Sequence, residues 1–490
     1  NFGSDMRVNS LLYSVDLEGG KYFNLNVTGR TDKLSALKKD NNTFFYPSLN
    51  LSTVLNDYVS LPSQINYLKL RASYAKVRGG GSFVSDYIGA TPNNAFPIGY
   101  GQQYSSTYGG PTYTYADVYS TGIGYNNTTQ ASFTNTLVDA NVQPDDRTSF
   151  EFGVEAKAFN NRVGIEASYY QYTDGPQIFS KSISQTSGYA SYVVNGTKTQ
   201  RTGWDVTING AVIKSTKGVS WDATLNLGAF TNKFKELPSG LSILNNFYKV
   251  GSRTDEVWFR MMARTPDGQL INDAGGRPIY LPVAQYVGNS NPDLVWGLNN
   301  KLTYKAFTFN FQIDGRLGGV MEDYVRKKTF QGGRHIETVQ GKMGEARYQD
   351  YKGIKSYVGE GVVVASGTPV FDPVTGRISN YNALTFAPNT IKTYIQDYIS
   401  RVHGNPEPNI MSKTYMKLRE VMLTYELPQA LVQKSIFKKA TVSLVARNLL
   451  YWMPDTKFND VDIDQYPGES SIGLQTPTTR SYGININFIF

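Results

Sequence analysis

The chain has 490 residues, with 48 Lys and Arg against 40 Asp and Glu, no cysteine, 46 Gly, 35 Tyr and 25 Phe. Without cysteine there is no disulfide, no thiol chemistry and no cysteine-based zinc site, and the formal charge of +8 is scattered rather than clustered, which argues against nucleic acid as a partner. Mean hydropathy is −0.36 and no run approaches the roughly 18 apolar residues of a membrane helix, yet a membrane strand needs only alternate residues to be apolar.

Alternation with a period of two recurs from end to end. It predicts strands over 6–17, 21–32, 44–54, 66–77, 148–159, 162–173, 202–214, 219–231, 294–304, 307–318, 414–427, 439–452 and 480–490. Phe150, Phe152, Val154, Ala156 and Ala158 alternate with Glu151, Glu155 and Lys157; Phe307, Phe309, Phe311 and Ile313 alternate with Thr308, Asn310, Gln312 and Asp314. Each run is about ten residues, the length a tilted strand needs to cross a bilayer and nearly twice the usual soluble strand.

The connections alternate short and long. Glu18–Gly20, Asn160–Asn161, Ser215–Gly218 and Lys305–Ala306 are tight, and Asn-Asn suits the two positive φ values of a type I′ hairpin. The long links are 78–147, 174–201, 232–293, 319–413 and 453–479. Short turns at one rim and long loops at the other are the asymmetry of an outer-membrane barrel, with periplasmic turns and extracellular loops. A propeller would show a fixed period of about 40 to 50 residues, which the chain lacks. The expected fold is therefore all-β, a transmembrane antiparallel β-barrel with about 13 strands here and one domain over residues 1–490. An odd count conflicts with the even number of a closed bacterial barrel, and an open edge in lipid is untenable. The expectation is an upstream part with an odd number of strands; "NFGSDMRVNS" carries no signal peptide and reads as a start within a longer protein.

Inward polar positions Lys69, Arg71, Glu151, Glu155, Lys157, Asp205 and Asp314 are expected to face the lumen, where they solvate it, pair with other charges or touch substrate. The last stretch, "SYGININFIF", sets Tyr482, Ile484, Ile486, Phe488 and Phe490 outward and resembles the C-terminal signal read by the barrel-assembly machinery. "DTKFNDVDID" clusters Asp455, Asp460, Asp462 and Asp464, a weak calcium candidate without EF-hand spacing, read as a solvated acidic loop. No other metal or cofactor site is expected. His335 and His403 share a loop with Ser and Asp, but no Gly-x-Ser-x-Gly accompanies them; they are read as surface polar residues and no catalytic role is assigned. "RGGGS" (78–82) lacks a phosphate-loop ending and reads as a loop start. "NTIKTYIQDYISRV" (389–402) sets Ile391, Tyr394, Ile395, Tyr398 and Ile399 at helical spacing, a short amphipathic helix packed on other loops or a partner. Tyr104, Tyr108, Tyr113 and Trp258 are loop aromatics able to stack on sugar rings.

"YLKLRASYAKVRG" (67–79), "DRTSFEFGVEAKAFNNRVGIEASYYQYT" (146–173), "TGWDVTINGAVIKSTKGVSWDATLNLGAFTNK" (202–233), "VGNSNPDLVWGLNNKLTYKAFTFNFQIDG" (287–315), "YMKLREVMLTYELP" (415–428) and "VSLVARNLLYW" (442–452) together resemble, in order, the SusC/RagA class of TonB-dependent outer-membrane transporters. "NVQPDD" (141–146) is a divergent version of that class's Asn-Pro-x-Leu-x-Trp run, and Arg78-Gly79 stands where Gly-Asn is commoner. The resemblance implies a barrel of about 22 strands whose N-terminal plug and early strands are not in this chain. It implies location in the outer membrane of a Gram-negative, Bacteroidetes-type bacterium. It also implies active import of oligosaccharides or peptides, with a SusD-like surface lipoprotein as lid and TonB pulling on the plug. The alternatives are a passive porin-like channel and a structural or adhesive barrel.

Overall fold

The computed structural model describes residues 7–34, 42–78, 119–123, 126, 128–133, 135–139, 146–215, 217–238, 240–244, 247–433, 436–456, 461–466, 468, 470–471, 475 and 478–490. Its backbone falls into two compact units, residues 1–210 with 230–254 and residues 211–229 with 255–490. "RGGGS" beyond Arg78, "NVQPDD" up to residue 145, and Tyr104, Tyr108, Tyr113 and Asp460 lie outside the described residues.

In the first unit seven long strands follow one another as antiparallel neighbours: β1 (Val8–Glu18), β2 (Asn24–Leu34), β3 (Thr43–Val54), β4 (Ile65–Arg78), β5 (Asp146–Ala158), β6 (Val163–Ser182) and β7 (Ser191–Ile213). Register fixes which side chains share a face. One row across the strands is Leu17, Leu25, Leu51, Ala72, Phe152, Tyr169 and Trp204; the adjacent row is Asp16, Asn26, Asn50, Ser73, Glu151, Tyr170 and Gly203. Phe152 and Tyr169 are half exposed, an arrangement that costs free energy in water and none against hydrocarbon.

The second unit contains the first half of β8 (Ser220–Glu236), then β9 (Leu294–Tyr304), β10 (Phe307–Leu317), β11 (Tyr415–Glu426), β12 (Lys439–Trp452) and β13 (Ser481–Ile489). These too are antiparallel neighbours. Trp221, Leu302, Phe309, Leu423, Leu444 and Ile484 form its outward row. Ile484 is 70% exposed and Leu444 56%. Phe309 and Ile484 therefore lie on the same apolar sheet face, not in a dry interior.

All thirteen expected strands are present, with two corrections. Residues 174–201 were expected to be a long loop, but β6 and β7 run on through them, 20 and 23 residues long, with register shifts between Asn195 and Thr199. At about 3.3 Å per residue β7 exceeds a bilayer's thickness twofold. The Asn160–Asn161 hairpin is wider than a two-residue turn: Phe159, Asn160 and Asn161 all have positive φ, and pairing resumes at Ala158 and Val163.

The long links of the second unit are folded rather than irregular. Residues 256–289 and 320–412 form a module with three helices, α1 (Tyr324–Gln331), α2 (Gly341–Tyr351) and α3 (Ile395–Gly404), and short strand pairs. One apolar core packs Ala263, Ile271, Leu281, Val362, Ile378 and Leu384; another packs Phe330, Ala346, Ile395, Tyr398 and Ile399. Tyr398 is pushed up to about 12 by this burial. The amphipathic helix expected over 389–402 is α3, shifted towards its C-terminal side, with Tyr394 as its N-cap. Tyr394 offers no side-chain cap, so Asp350 of α2 accepts from the amides of Ile395 (3.2 Å) and Gln396 (3.1 Å).

Candidate functional site

The chemistry of the chain lies on the polar strand faces of each unit and in the loop module. On the first unit, strand alternation places Lys69, Arg71, Glu151, Glu155, Lys157 and Asp205 together on one face. Arg71 reaches across Gly153, its partner in β5, to β6. It donates to Glu166 Oε1 at 2.8 Å and Ser168 Oγ at 2.6 Å, and stands 3.6 Å from Glu151. A Cβ on Gly153 would collide with the Arg71 side chain, so the glycine is what lets one guanidinium tie three strands. Lys157 pairs with Glu155 at 3.3 Å and lies over the Tyr67 ring. A depression of about 550 Å³ is lined by Asp16, Glu18, Asn26, Asn50, Lys69 and Arg71. Sequence reasoning singled out the charges there but not the aromatic strip beside them. Tyr170 and Tyr172 stack on β6 (6.2 Å, 13°), Arg147 and Arg201 lie over Tyr172, and Asp174 takes two hydrogen bonds from Arg147 (2.5 and 3.0 Å). The signal was Tyr-Gln-Tyr on one strand face, masked by the abundance of tyrosine.

On the second unit Asp314 belongs to a five-member ionic network. Arg419 holds Asp314 with both arms of its fork and reaches Asp464 at 2.6 Å; Lys417 is 2.5 Å from Asp462 and 3.0 Å from Asp464. Arg419 is an extra residue in β11: Leu418 pairs with Ile313 and Glu420 with Gln312, leaving Arg419 in a bulge. Bulges re-aim side chains in this way. Lys417 is 2% exposed and lies over Tyr451, whose hydroxyl accepts from the amide of Ile463. The aspartate stretch is thus no solvated acidic loop at 462 and 464. Both carboxylates are engaged by cations, and Val461, Ile463 and Tyr466 are buried with Met321, Met411, Tyr415 and Met453. Among the described residues no group of acidic or histidine side chains is arranged to hold a metal ion. Asp455 lies outside the network.

The reading of His335 and His403 as surface polar residues is overturned. Both are buried and sandwich Phe330, with ring centroids 4.1 and 3.7 Å apart and interplanar angles of 17° and 8°. Burial pulls His403 down to about 4, against the hydrogen bond to Asn409 Oδ1 (2.9 Å) and with help from Arg326. His335 Nε2 accepts from Arg326, which also pairs with Glu337 at 3.0 Å. Two buried imidazoles stacked on the faces of one aromatic ring serve packing. Lys413, unmarked in the sequence, is fully buried and donates to the carbonyls of Ser290 (2.9 Å) and Gly468 (3.0 Å). Burial lowers it to about 8.

The terminal strand β13 is exposed along its whole length. Tyr482, Ile484, Ile486, Phe488 and Phe490 are exposed, and Phe437 stacks on Phe488 (4.5 Å) and Phe490 (4.9 Å). Trp258 is engaged by Glu256 and Tyr286.

Comparison with known proteins finds no matching family model. The TonB-dependent receptor P26 of Formosa agariphila is 22% identical over 508 residues, covering 95% of this chain and 44% of that protein. The RagAB peptide transporter superposes with a TM-score of 0.65 at 16% identity, over 99% of this chain and 48% of that one. The RagAB peptide importer in its open-open state gives 0.67 at 15% identity, over 99% and 47%. The chain spans about half the length of these relatives, and shares their fold. The SusC/RagA resemblance drawn from the ordered segments agrees with these likenesses, which are to a TonB-dependent receptor and to RagAB peptide transporters.

Proposed function

We propose that this SusC/RagA-like chain forms part of the transmembrane barrel of an outer-membrane, TonB-dependent importer of oligosaccharides or peptides. The carrying observation is the contrast between the two faces of the long strands. The outward row Trp221, Leu302, Phe309, Leu423, Leu444 and Ile484 is apolar, with its last four members exposed, while the opposite faces carry paired charges and amides. That pairing of faces suits hydrocarbon on one side and a water-filled bore on the other. Likeness in fold to the RagAB transporters over nearly the whole chain supports the reading. In it, Lys69, Arg71, Glu151, Glu155, Lys157, Asp205 and Asp314 line the bore, and the exposed terminal face from Tyr482 to Phe490 guides insertion. A plug segment in the longer protein meets TonB.

A SusD-like surface lipoprotein is the proposed lid. The loop module supports this: Ile336, Val339, Tyr348, Tyr351 and Ile354 are exposed around a 310 Å³ hollow lined by Phe330, Arg347, Tyr351 and Ile399. Exposed apolar side chains gathered on a folded module suit a protein partner. The test is uptake in the native host. Deletion of the gene, or collapse of the proton gradient, is expected to abolish accumulation of one class of oligosaccharide or peptide. Steady conductance of the purified protein in planar bilayers without TonB would instead indicate a passive channel.

A further inference from the structure

Resting on the importer reading, we propose that the polar wall formed by β6 and β7 binds a short peptide by its two free ends, with Arg201 taking the carboxylate and Asp205 the ammonium. Most charges on this face are already matched within the wall: Arg71 by Glu166, Arg147 by Asp174 and Lys157 by Glu155. Arg201 and Asp205 are different. Among the described residues neither has an ion-pair partner, although both lie on the same face of β7. Arg201 is held by rings alone, its guanidinium 5.4 Å from the centre of Tyr172 and 4.4 Å from that of Phe230, and its Nε is buried with no acceptor. Ring faces fix the plane of the fork without neutralising it. Asp205 is exposed.

Between the two charges the wall is aromatic and flat. Register sets Arg201 beside Tyr172, Gly203 beside Tyr170 and Asp205 beside Ser168, so the stacked tyrosines occupy the interval. Four residues of strand separate the charges by about 13 Å. An extended chain of about four residues spans that distance between its own ends. A cation and an anion at that spacing, joined by ring faces and a side-chain-free glycine, match a zwitterion of tripeptide to tetrapeptide length. A neutral sugar would leave both charges uncompensated, and an acidic sugar would leave Asp205 opposed.

The test is calorimetric titration of the purified full-length protein in detergent, without TonB, using tetraalanine with free ends, its N-acetylated form and its C-amidated form. Free tetraalanine is expected to bind, and blocking either end to weaken binding by about tenfold or more, the effect of a lost charge-assisted hydrogen bond. The isosteric variant Asp205→Asn is expected to lose the acetylation penalty while keeping the amidation penalty, and Arg201→Gln the reverse. Heat-modifiable gel mobility checks that both variants are folded. Three outcomes would overturn the proposal: no binding of tetraalanine by folded protein, equal affinity for free and blocked peptides, or a preference for neutral oligosaccharides that Tyr170→Ala abolishes. Failure of energised uptake with binding intact would count against the importer reading and not against this site.

Discussion

Arg419 grips Asp314 with two hydrogen bonds, Nε to Oδ1 at 2.7 Å and Nη2 to Oδ2 at 2.6 Å, while its remaining nitrogen holds Asp464 of the segment that follows β12. The side chain sits in a bulge, so it answers to neither strand neighbour and is aimed at two carboxylates at once. Removing the Asp314 charge by Asp314→Asn is expected to cost about 1.5–3 kcal/mol and to free residues 461–466 from the sheet. Limited proteolysis after β12 reads this directly. Arg419→Lys keeps the charge but not the fork, and the same cleavage is expected at an intermediate rate.

The His335–Phe330–His403 stack makes the loop module acid-sensitive. The folded state holds His403 at about 4, below its ordinary 6.5, so unfolded module binds the extra proton between those values. Stability from the neutral ring is complete above pH 6.5 and is lost as pH falls towards 4, about 3 kcal/mol in all. Hydrogen exchange of α1 and α3 between pH 7 and 4.5 is expected to show accelerating opening, and His403→Gln is expected to flatten that dependence.

Lys413 is fully buried and spends its donors on the carbonyls of Ser290 and Gly468. In Lys413→Met those acceptors lose their donor inside the protein, a cost of about 1–3 kcal/mol. Faster trypsin or chymotrypsin cleavage near residues 453–480, with the strands intact, is the expected result.

The two faces of β10 are expected to respond oppositely to charge. Phe309→Arg puts a guanidinium on the outward row, at a cost of about 2–4 kcal/mol near the bilayer midplane. Asn310→Arg, on the polar face, is expected to cost little. Unfolding of the full-length protein from lipid vesicles in urea measures both, and equal effects would contradict the assignment of faces.

The strands were legible because period two is a local property, visible wherever Phe150, Phe152 and Val154 or Ile484, Ile486 and Phe488 recur. The register was legible in part, since one slip would have sent every apolar residue to the wrong face. The loop module was not. Its cores join residues far apart in the chain, such as Ile271 with Val362 and Phe330 with His403, and their spacing carries no period. The histidines were misread for the same reason. In sequence they stand among polar neighbours, and only the folded chain closes Phe330 between them. Asp462 and Asp464 looked solvated because their cations, Lys417 and Arg419, lie some forty-five residues earlier on a strand already read as alternating.

Gly153 is paired with Arg71 on one side and Ser168 on the other and brings no side chain to that place, and that is its role. The space where a methyl group would stand is the corridor through which Arg71 fastens β4 to Glu166 and Ser168 on β6. An alanine there would meet the Arg71 side chain, which would have to shift from its place beside Glu166 and Ser168, on a strand that is not adjacent to its own. In this wall an absent atom is as much a part of the architecture as the ion pair it makes room for.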